Sequence, residues 1–236
     1  MKMIFECEAE RINTTLNDEQ LTKLYLEAVE KDKKRGYTPV LISIDDTLKY
    51  NIENNYNEYG GAKGHVKTLI SMDSYNGKSI FDEIISQIED YLSDETDGVM
   101  FDDGFSSMEM EGQKIFNVSA CTQFMDEYEN YLLHVPTDKP YEIFAWIPFG
   151  GWNECPPAKM MIPMFRYWYE NYGVLPAYIS NDSLLVYLYN PITDKEKINI
   201  IAKEYLALCP DLVGMGGTPV VKMKITDSNV WDFWWD

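Results

Sequence analysis

The residue best placed to do chemistry in this sequence is Cys155, in the run Gly-Gly-Trp-Asn-Glu-Cys-Pro-Pro over residues 150–157, just ahead of a predicted helix. Proline is tolerated in the first turn of a helix, and backbone amides there can stabilise a thiolate. The position predicts a catalytic cysteine of lowered pKa, with Asn153 or Glu154 orienting a partner. A buried cysteine in a structural loop is the favoured interpretation, because neither histidine of the chain lies close in sequence to serve as a base.

The paired glycines Gly150 and Gly151 could bring the backbone close to a ligand. They lack the G-x-G-x-x-G or Walker spacing that cradles a phosphate, so a turn is favoured. The four cysteines, Cys7, Cys121, Cys155 and Cys209, form no C-x-x-C pair, which leaves zinc ribbons and thioredoxin-like sites unsupported. No cofactor is predicted.

A second candidate site is an acidic stretch between Lys78 and Lys114, which contains no basic residue. Its tightest cluster consists of Asp94, Glu95, Asp97, Asp102 and Asp103. Concentrated negative charge favours docking of a basic protein, because it raises association rates and selects the sign of the partner. Oxygen ligands also suit calcium or magnesium, although the spacing does not match an EF-hand loop. A solvated surface is the remaining interpretation.

The overall charge excludes several partners. The formal net charge of −19 opposes binding to nucleic acids and to anionic membranes, because a protein binds either of them through basic side chains. No segment approaches the roughly 18 apolar residues of a membrane span. The N-terminus turns acidic before an apolar signal-peptide core forms, so a cytoplasmic location is expected.

Hydrophobic periodicity predicts an α/β or α+β protein with a mixed sheet flanked by helices. The predicted helices cover residues 18–35, 46–55, 78–92 and 120–133, a segment ending near 173, and 193–208 with a capping box from Thr193 to Glu196. The predicted strands cover residues 39–44, 65–71, 115–118, 141–147, 176–180 and 184–189. Residues 56–64 contain three glycines and are predicted to form a loop.

Aromatic residues close the sequence and also surround the last predicted loops. Strand alternation predicts that Trp231, Phe233 and Trp235 share one buried face, with Trp234 on the other. A ligand-stacking surface is the alternative. Trp152, Trp168 and Tyr172 have the same two interpretations, packing around a helix, which is favoured, or lining a groove.

Two segments of the chain resemble each other. Residues 36–45 align without gaps on residues 173–182, sharing Gly, Pro, Ile, Ser and Asp, and each copy follows an amphipathic helix. Either the two halves are a duplication or both use common turn chemistry. The predicted domains are an acidic N-terminal αβ region, residues 1–138, and a C-terminal αβ domain, residues 139–236.

The C-terminal domain carries a recognisable pattern, the run G-G-W-N-E-C-P from Gly150 and the closing F-W-W-D from Phe233 to Asp236. Over about residues 141–236 the chain resembles the bacterial family of domain of unknown function 4253. The resemblance implies no established activity and no catalytic residues.

The leading functional hypothesis is a non-enzymatic, acidic binding protein that engages a basic protein, possessing an immunity- or antitoxin-like role. The charge pattern alone carries this hypothesis. The alternative is a hydrolase or transferase that uses Cys155 or a divalent metal held by the acidic stretch.

Overall fold

The computed structural model describes residues 2–71, 76–93, 112–118 and 128–236. Its strands are β1 (Lys2–Ile4), β2 (Cys7–Arg11), β3 (Thr38–Ile44), β4 (Glu129–Val135), β5 (Leu175–Ile179), β6 (Ser183–Tyr187) and β7 (Val230–Trp234). Its α-helices are α1 (Asp18–Lys33), α2 (Asp46–Tyr59), α3 (Ala62–Ser71), α4 (Gly77–Ser93), α5 (Ile143–Trp146), α6 (Ala158–Tyr172), α7 (Lys195–Leu208) and α8 (Gly217–Ile225). Short 3₁₀ helices cover Pro140–Glu142 and Pro210–Met215.

The seven strands form one mixed sheet in the order β1-β2-β4-β3-β5-β6-β7. Every neighbouring pair is antiparallel except β3 and β5, which run parallel. The predicted α/β class with a mixed sheet flanked by helices is therefore confirmed.

Helices cover the sheet unequally. One face packs against α1, with Leu21 and Tyr25 of the helix beside Leu41 of β3, and Phe116 joins this smaller cluster. The opposite face carries the larger core, to which α2 to α8 all contribute. Since Leu41 and Ile42 are neighbours on one strand, they point to the two different cores.

Several predicted elements are confirmed by their local chemistry. Asn17 caps α1, and its side chain and that of Gln20 form a reciprocal capping box. In the last strand, Trp231, Phe233 and Trp235 are at most 1% exposed whereas Trp234 is 43% exposed, as alternation predicts. The aromatic tail is thus a core strand. At α7 the cap is Asp194, not Thr193, because the Asp194 side chain accepts from the backbone of Lys197.

Five local predictions are wrong. Residues 56–64 and 65–71, predicted as loop and strand, form the end of α2 and the helix α3. Residues 112–118 contain no strand. Residues 129–133, predicted as helix, belong to β4, while residues 120–127 lie outside the described part of the chain. Residues 141–147 form a 3₁₀ turn and α5, not a strand.

Burial explains the errors at β4 and α5. β4 lies between β2 and β3, and six of its seven residues are buried, so no alternation marks it as a strand. α5 is buried all round, and a short apolar run cannot be assigned from periodicity alone. For α3 the buried residues Ala62, His65 and Val66 have the i, i+3, i+4 spacing of a helix. The predicted strand began at His65 and left Ala62 out, so this spacing was not recognised.

The two similar segments lie side by side. In the parallel pair, Leu41 is opposite Tyr178 and Ile42 is opposite Ile179, the same residues that the sequence alignment matches. Gly36 and Gly173, at equivalent positions, both have φ of 72°. Strands from both sides of the predicted boundary at residue 138 share the sheet, while the division into domains and the duplication remain predictions.

Candidate functional site

The loop that carries Cys155 is closed on itself. The Gly151 N–H donates to the Cys155 carbonyl at 3.0 Å, and the Cys155 N–H donates to the Trp152 carbonyl at 3.0 Å. A Cβ atom on Gly150 would lie 2.1 Å from the Pro156 carbonyl oxygen. The glycines therefore permit a tight approach of the loop to its own backbone, as the turn interpretation predicts.

Cys155 itself is 2% exposed and belongs to the large core. Burial raises the pKa of its thiol, and the nearby Cys209 raises it further. This shift is opposite to the one that a nucleophile requires. Asn153 and Glu154, its predicted helpers, are exposed, and the Asn153 side chain donates to the Asp236 carbonyl.

Neither histidine offers Cys155 a base in this structure. His134 Nδ1 lies 2.5 Å from the Asp32 carboxylate, and this hydrogen bond raises the pKa of His134. By strand alternation His134 shares the α1 face of the sheet with Leu132, whereas Cys155 lies in the core on the other face. His65 Nδ1 bonds the Ala145 carbonyl at 2.7 Å. The geometry gives the catalytic hypothesis for Cys155 no support.

We expect Cys155 to be alkylated by iodoacetamide at pH 8 at least about 100-fold more slowly than glutathione, since a buried thiol of raised pKa is both hidden and protonated. Site-resolved mass spectrometry would measure the rate at each cysteine. The same cysteine in urea-unfolded protein is the control and should react as fast as glutathione. A native rate equal to that of glutathione would restore the nucleophile hypothesis.

The acidic cluster predicted as a docking surface, Asp94, Glu95, Asp97, Asp102 and Asp103, lies outside the described residues. Helix α4, which leads toward it, is described to residue 93, and its four acidic residues, Asp82, Glu83, Glu89 and Asp90, are exposed. Asp82 pairs with Lys78 and Glu89 pairs with Lys203 at 3.2 Å, so part of this charge is compensated locally. Across the described ranges, His, Cys, Asp and Glu residues form no group of three that could hold a metal ion.

The structure contains a groove that sequence analysis did not predict as a site. Its volume is about 270 Å³. Five of its lining residues are tyrosines, Tyr25, Tyr37, Tyr169, Tyr172 and Tyr189. Its polar lining comprises Glu30, Lys33, Asp138 and Asn190. We call this feature the tyrosine groove.

The sheet topology creates the tyrosine groove. β3 and β5 are parallel neighbours, so both begin at the same end of the sheet. Each follows a helix directly, α1 before β3 and α6 before β5, and these helices pack on opposite faces. The C-terminal ends of α1 and α6 therefore meet at this end of the sheet, and the groove lies between them.

The charges around the tyrosine groove are unequal. Glu30 and Asp138 contribute two carboxylates and Lys33 one ammonium group. Helix C-termini carry partial negative charge, which basic residues in the last turn can offset. α1 has Lys31 and Lys33 in its last turn, whereas α6 has no basic residue there. The groove thus favours a cation.

A buried carboxyl group lies behind the groove. Glu204 of α7 is fully buried, and the Trp168 indole N–H donates to its Oε2 at 2.8 Å. Burial raises the pKa of Glu204 to about 7. Tyr167, which also contacts Glu204, lies with its hydroxyl 3.4 Å from that of Tyr172 in the groove wall.

One sequence signal pointed toward this site. Trp152, Trp168 and Tyr172 were assigned either to packing or to a groove; Tyr172 lines the groove, whereas Trp168 is buried in the core. The aligned segments that begin at Gly36 and Gly173 also mark the two helix ends that form it. Tyr189 and Asp138 carried no comparable signal, because only the folded chain brings them beside α1.

The fold and site define an α/β protein with an aromatic groove between two helix C-termini. Residues 131–236 match the family described as "Domain of unknown function (DUF4253)", which confirms the resemblance predicted for the C-terminal part of the chain. No curated protein and no solved structure matches the chain. Among the described residues, no helix combines the length and the apolar character needed to span a bilayer.

Proposed function

We propose that this protein is a binding protein that engages a basic protein partner, in the manner of an immunity protein or antitoxin. The observation that carries the proposal is the run of acidic residues between Lys78 and Lys114, in a chain whose formal net charge is −19. A concentrated negative surface steers a basic partner toward itself and repels acidic ones. Inhibitors of nucleases can present negative charge where the nucleic acid would sit.

The described acids support part of this surface. Glu83 and Asp90 of α4 are exposed, and Glu83 makes no ion pair with any described residue, whereas Asp82 and Glu89 pair with Lys78 and Lys203. The acidic cluster at residues 94–103 follows directly in sequence. We propose that this cluster, Asp94, Glu95, Asp97, Asp102 and Asp103, extends the surface and is the main docking site.

Neutralising that cluster should weaken binding of a basic probe. The test variant replaces the five acids by Asn or Gln, and the probe is an octa-arginine peptide. At 50 mM salt we expect the Kd to rise about ten-fold or more, because each lost charge contact removes screened Coulomb attraction. The difference should shrink at 500 mM salt. Isothermal titration calorimetry would give both values.

The matched control changes the net charge equally at other exposed sites, by Glu19→Gln, Glu27→Gln, Asp46→Asn, Glu53→Gln and Glu196→Gln. We expect its Kd to change less than about three-fold. If both variants weaken binding equally, the total charge and not the cluster determines affinity, and the proposed docking site is wrong.

A further inference from the structure

We infer that the tyrosine groove binds the guanidinium group of an arginine side chain on a basic protein partner. The inference rests on the proposed function, since it names how a basic partner is held at a second place on the molecule. It concerns different residues from the acidic cluster, so the two can fail separately.

The groove presents exposed aromatic side chains. Tyr169 is 37% exposed and Tyr189 is 47% exposed, both large for aromatic side chains, while Tyr37 and Tyr172 are partly buried beside them. Tyrosine is enriched in protein interfaces because one ring supplies both apolar area and a hydrogen-bonding hydroxyl. A cation over such a ring is attracted by its π electrons.

The chain itself already places guanidinium groups on the tyrosines of this region. The guanidinium of Arg35 lies 4.5 Å from the ring centre of Tyr37, which lines the groove. The guanidinium of Arg166 lies 6.0 Å from the ring centre of Tyr141, and that ring packs 6.1 Å from Tyr169. Rings in this environment therefore accept a planar cation.

The charges favour arginine over an anionic ligand. Glu30 and Asp138 outnumber Lys33 among the lining residues, and the C-terminus of α6 adds partial negative charge that no basic residue in its last turn offsets. Elsewhere at the end of α1, Lys31 and Arg35 already pair with Glu10 and Glu8. A guanidinium entering the groove can pair with a carboxylate and stack on a tyrosine at once.

The volume suits one side chain. The volume of about 270 Å³ lies just below the range for small-molecule sites, which begins at roughly 300 Å³, so a single planar cation fits better than a large cofactor. Isolated arginine would have to bear the full entropic cost of association. An arginine presented by a docked protein shares that cost with the rest of the interface.

The test uses an acetylated and amidated Ala-Arg-Ala peptide and the same peptide with citrulline, which keeps the shape but not the charge. We expect the arginine peptide to bind the full chain at least about ten-fold more tightly in an NMR titration. Equal Kd values for the two peptides, or no binding of the arginine peptide at about 10 mM, would overturn the inference.

Variants locate the binding. Tyr169→Leu combined with Tyr189→Leu should raise the Kd of the arginine peptide about ten-fold, and Asp138→Asn should raise it about three-fold. Lys33→Met should lower the Kd about two-fold. Tyr50→Leu, at a tyrosine of α2 that is 65% exposed outside the groove, is the control and should leave the Kd unchanged. The gain of affinity in Lys33→Met cannot arise from misfolding.

The outcomes also separate this inference from the proposed function. If the groove variants bind the arginine tripeptide as tightly as the wild type while the variant of residues 94–103 binds octa-arginine poorly, the groove inference fails and the proposed function stands. If the groove variants lose the arginine tripeptide and neutralising residues 94–103 has no effect on octa-arginine, the acidic docking site fails and the groove remains.

Discussion

Gly150→Ala is expected to lower the free energy of unfolding by about 4 kcal/mol, a loss at the upper end of single substitutions. The added Cβ would lie 2.1 Å from the Pro156 carbonyl oxygen and 3.0 Å from the Cys155 sulfur atom, and neither the backbone nor the buried thiol can move away cheaply. The backbone at Gly150 has φ of +86°, which costs a side-chain-bearing residue a further 1–2 kcal/mol or so.

Gly173→Ala is the matched control for this substitution. Gly173 has a similar φ of +72°, but a Cβ there would meet nothing within 4 Å. We expect it to cost only about 1–2 kcal/mol, the conformational part alone. Urea denaturation monitored by tryptophan fluorescence would measure both. Equal losses would mean that the close packing of the Gly150 loop contributes nothing to stability.

Glu204→Gln is expected to stabilise the protein at pH 8 by about 3 kcal/mol and to leave it unchanged near pH 4.5. Burial raises the pKa of Glu204 from 4.5 to about 7, helped by Asp82 and opposed by the hydrogen bond from Trp168 and by Lys78. Glutamine still accepts the Trp168 N–H but carries no charge. The variant therefore removes the cost of ionising a buried carboxyl group.

The direction of the pH dependence follows from proton binding. Between pH 4.5 and about 7 the folded state keeps the proton of Glu204 whereas the unfolded state has lost it, so stability falls as the pH rises. His134 adds a slope of the same sign, because its pKa is raised by Asp32 and its contribution is lost as the pH rises through the folded value. The difference between variant and wild type isolates Glu204.

The measurement is urea denaturation of both proteins at several pH values from 4.5 to 8. Glu196→Gln, at an exposed position of the same helix, is the control and should show no pH-dependent difference from wild type. A Glu204→Gln protein with the same pH dependence as wild type would show that Glu204 does not carry the raised pKa.

Much of the secondary structure could be predicted because its signals are local. Each of these signals is formed by residues close together in the sequence. Examples are the capping box at Asn17, the apolar stripe of α4 and the alternation from Trp231 to Trp235. β4 and α5 could not be predicted in the same way. All residues of α5 and six of the seven in β4 are buried, and burial on both faces removes the alternation between apolar and polar residues on which prediction depends.

The features of the candidate sites also differ in whether local sequence or tertiary structure determines them. Sequence alone determined the α/β class, the excess of acidic residues and the glycine turn before Cys155, because composition and turn chemistry act over short distances. Only the tertiary structure decided that Cys155 is buried and that Tyr37, Asp138 and Tyr189 line one groove. The parallel pairing of β3 with β5 is responsible for the groove, since it brings together two helix ends that are far apart in the chain.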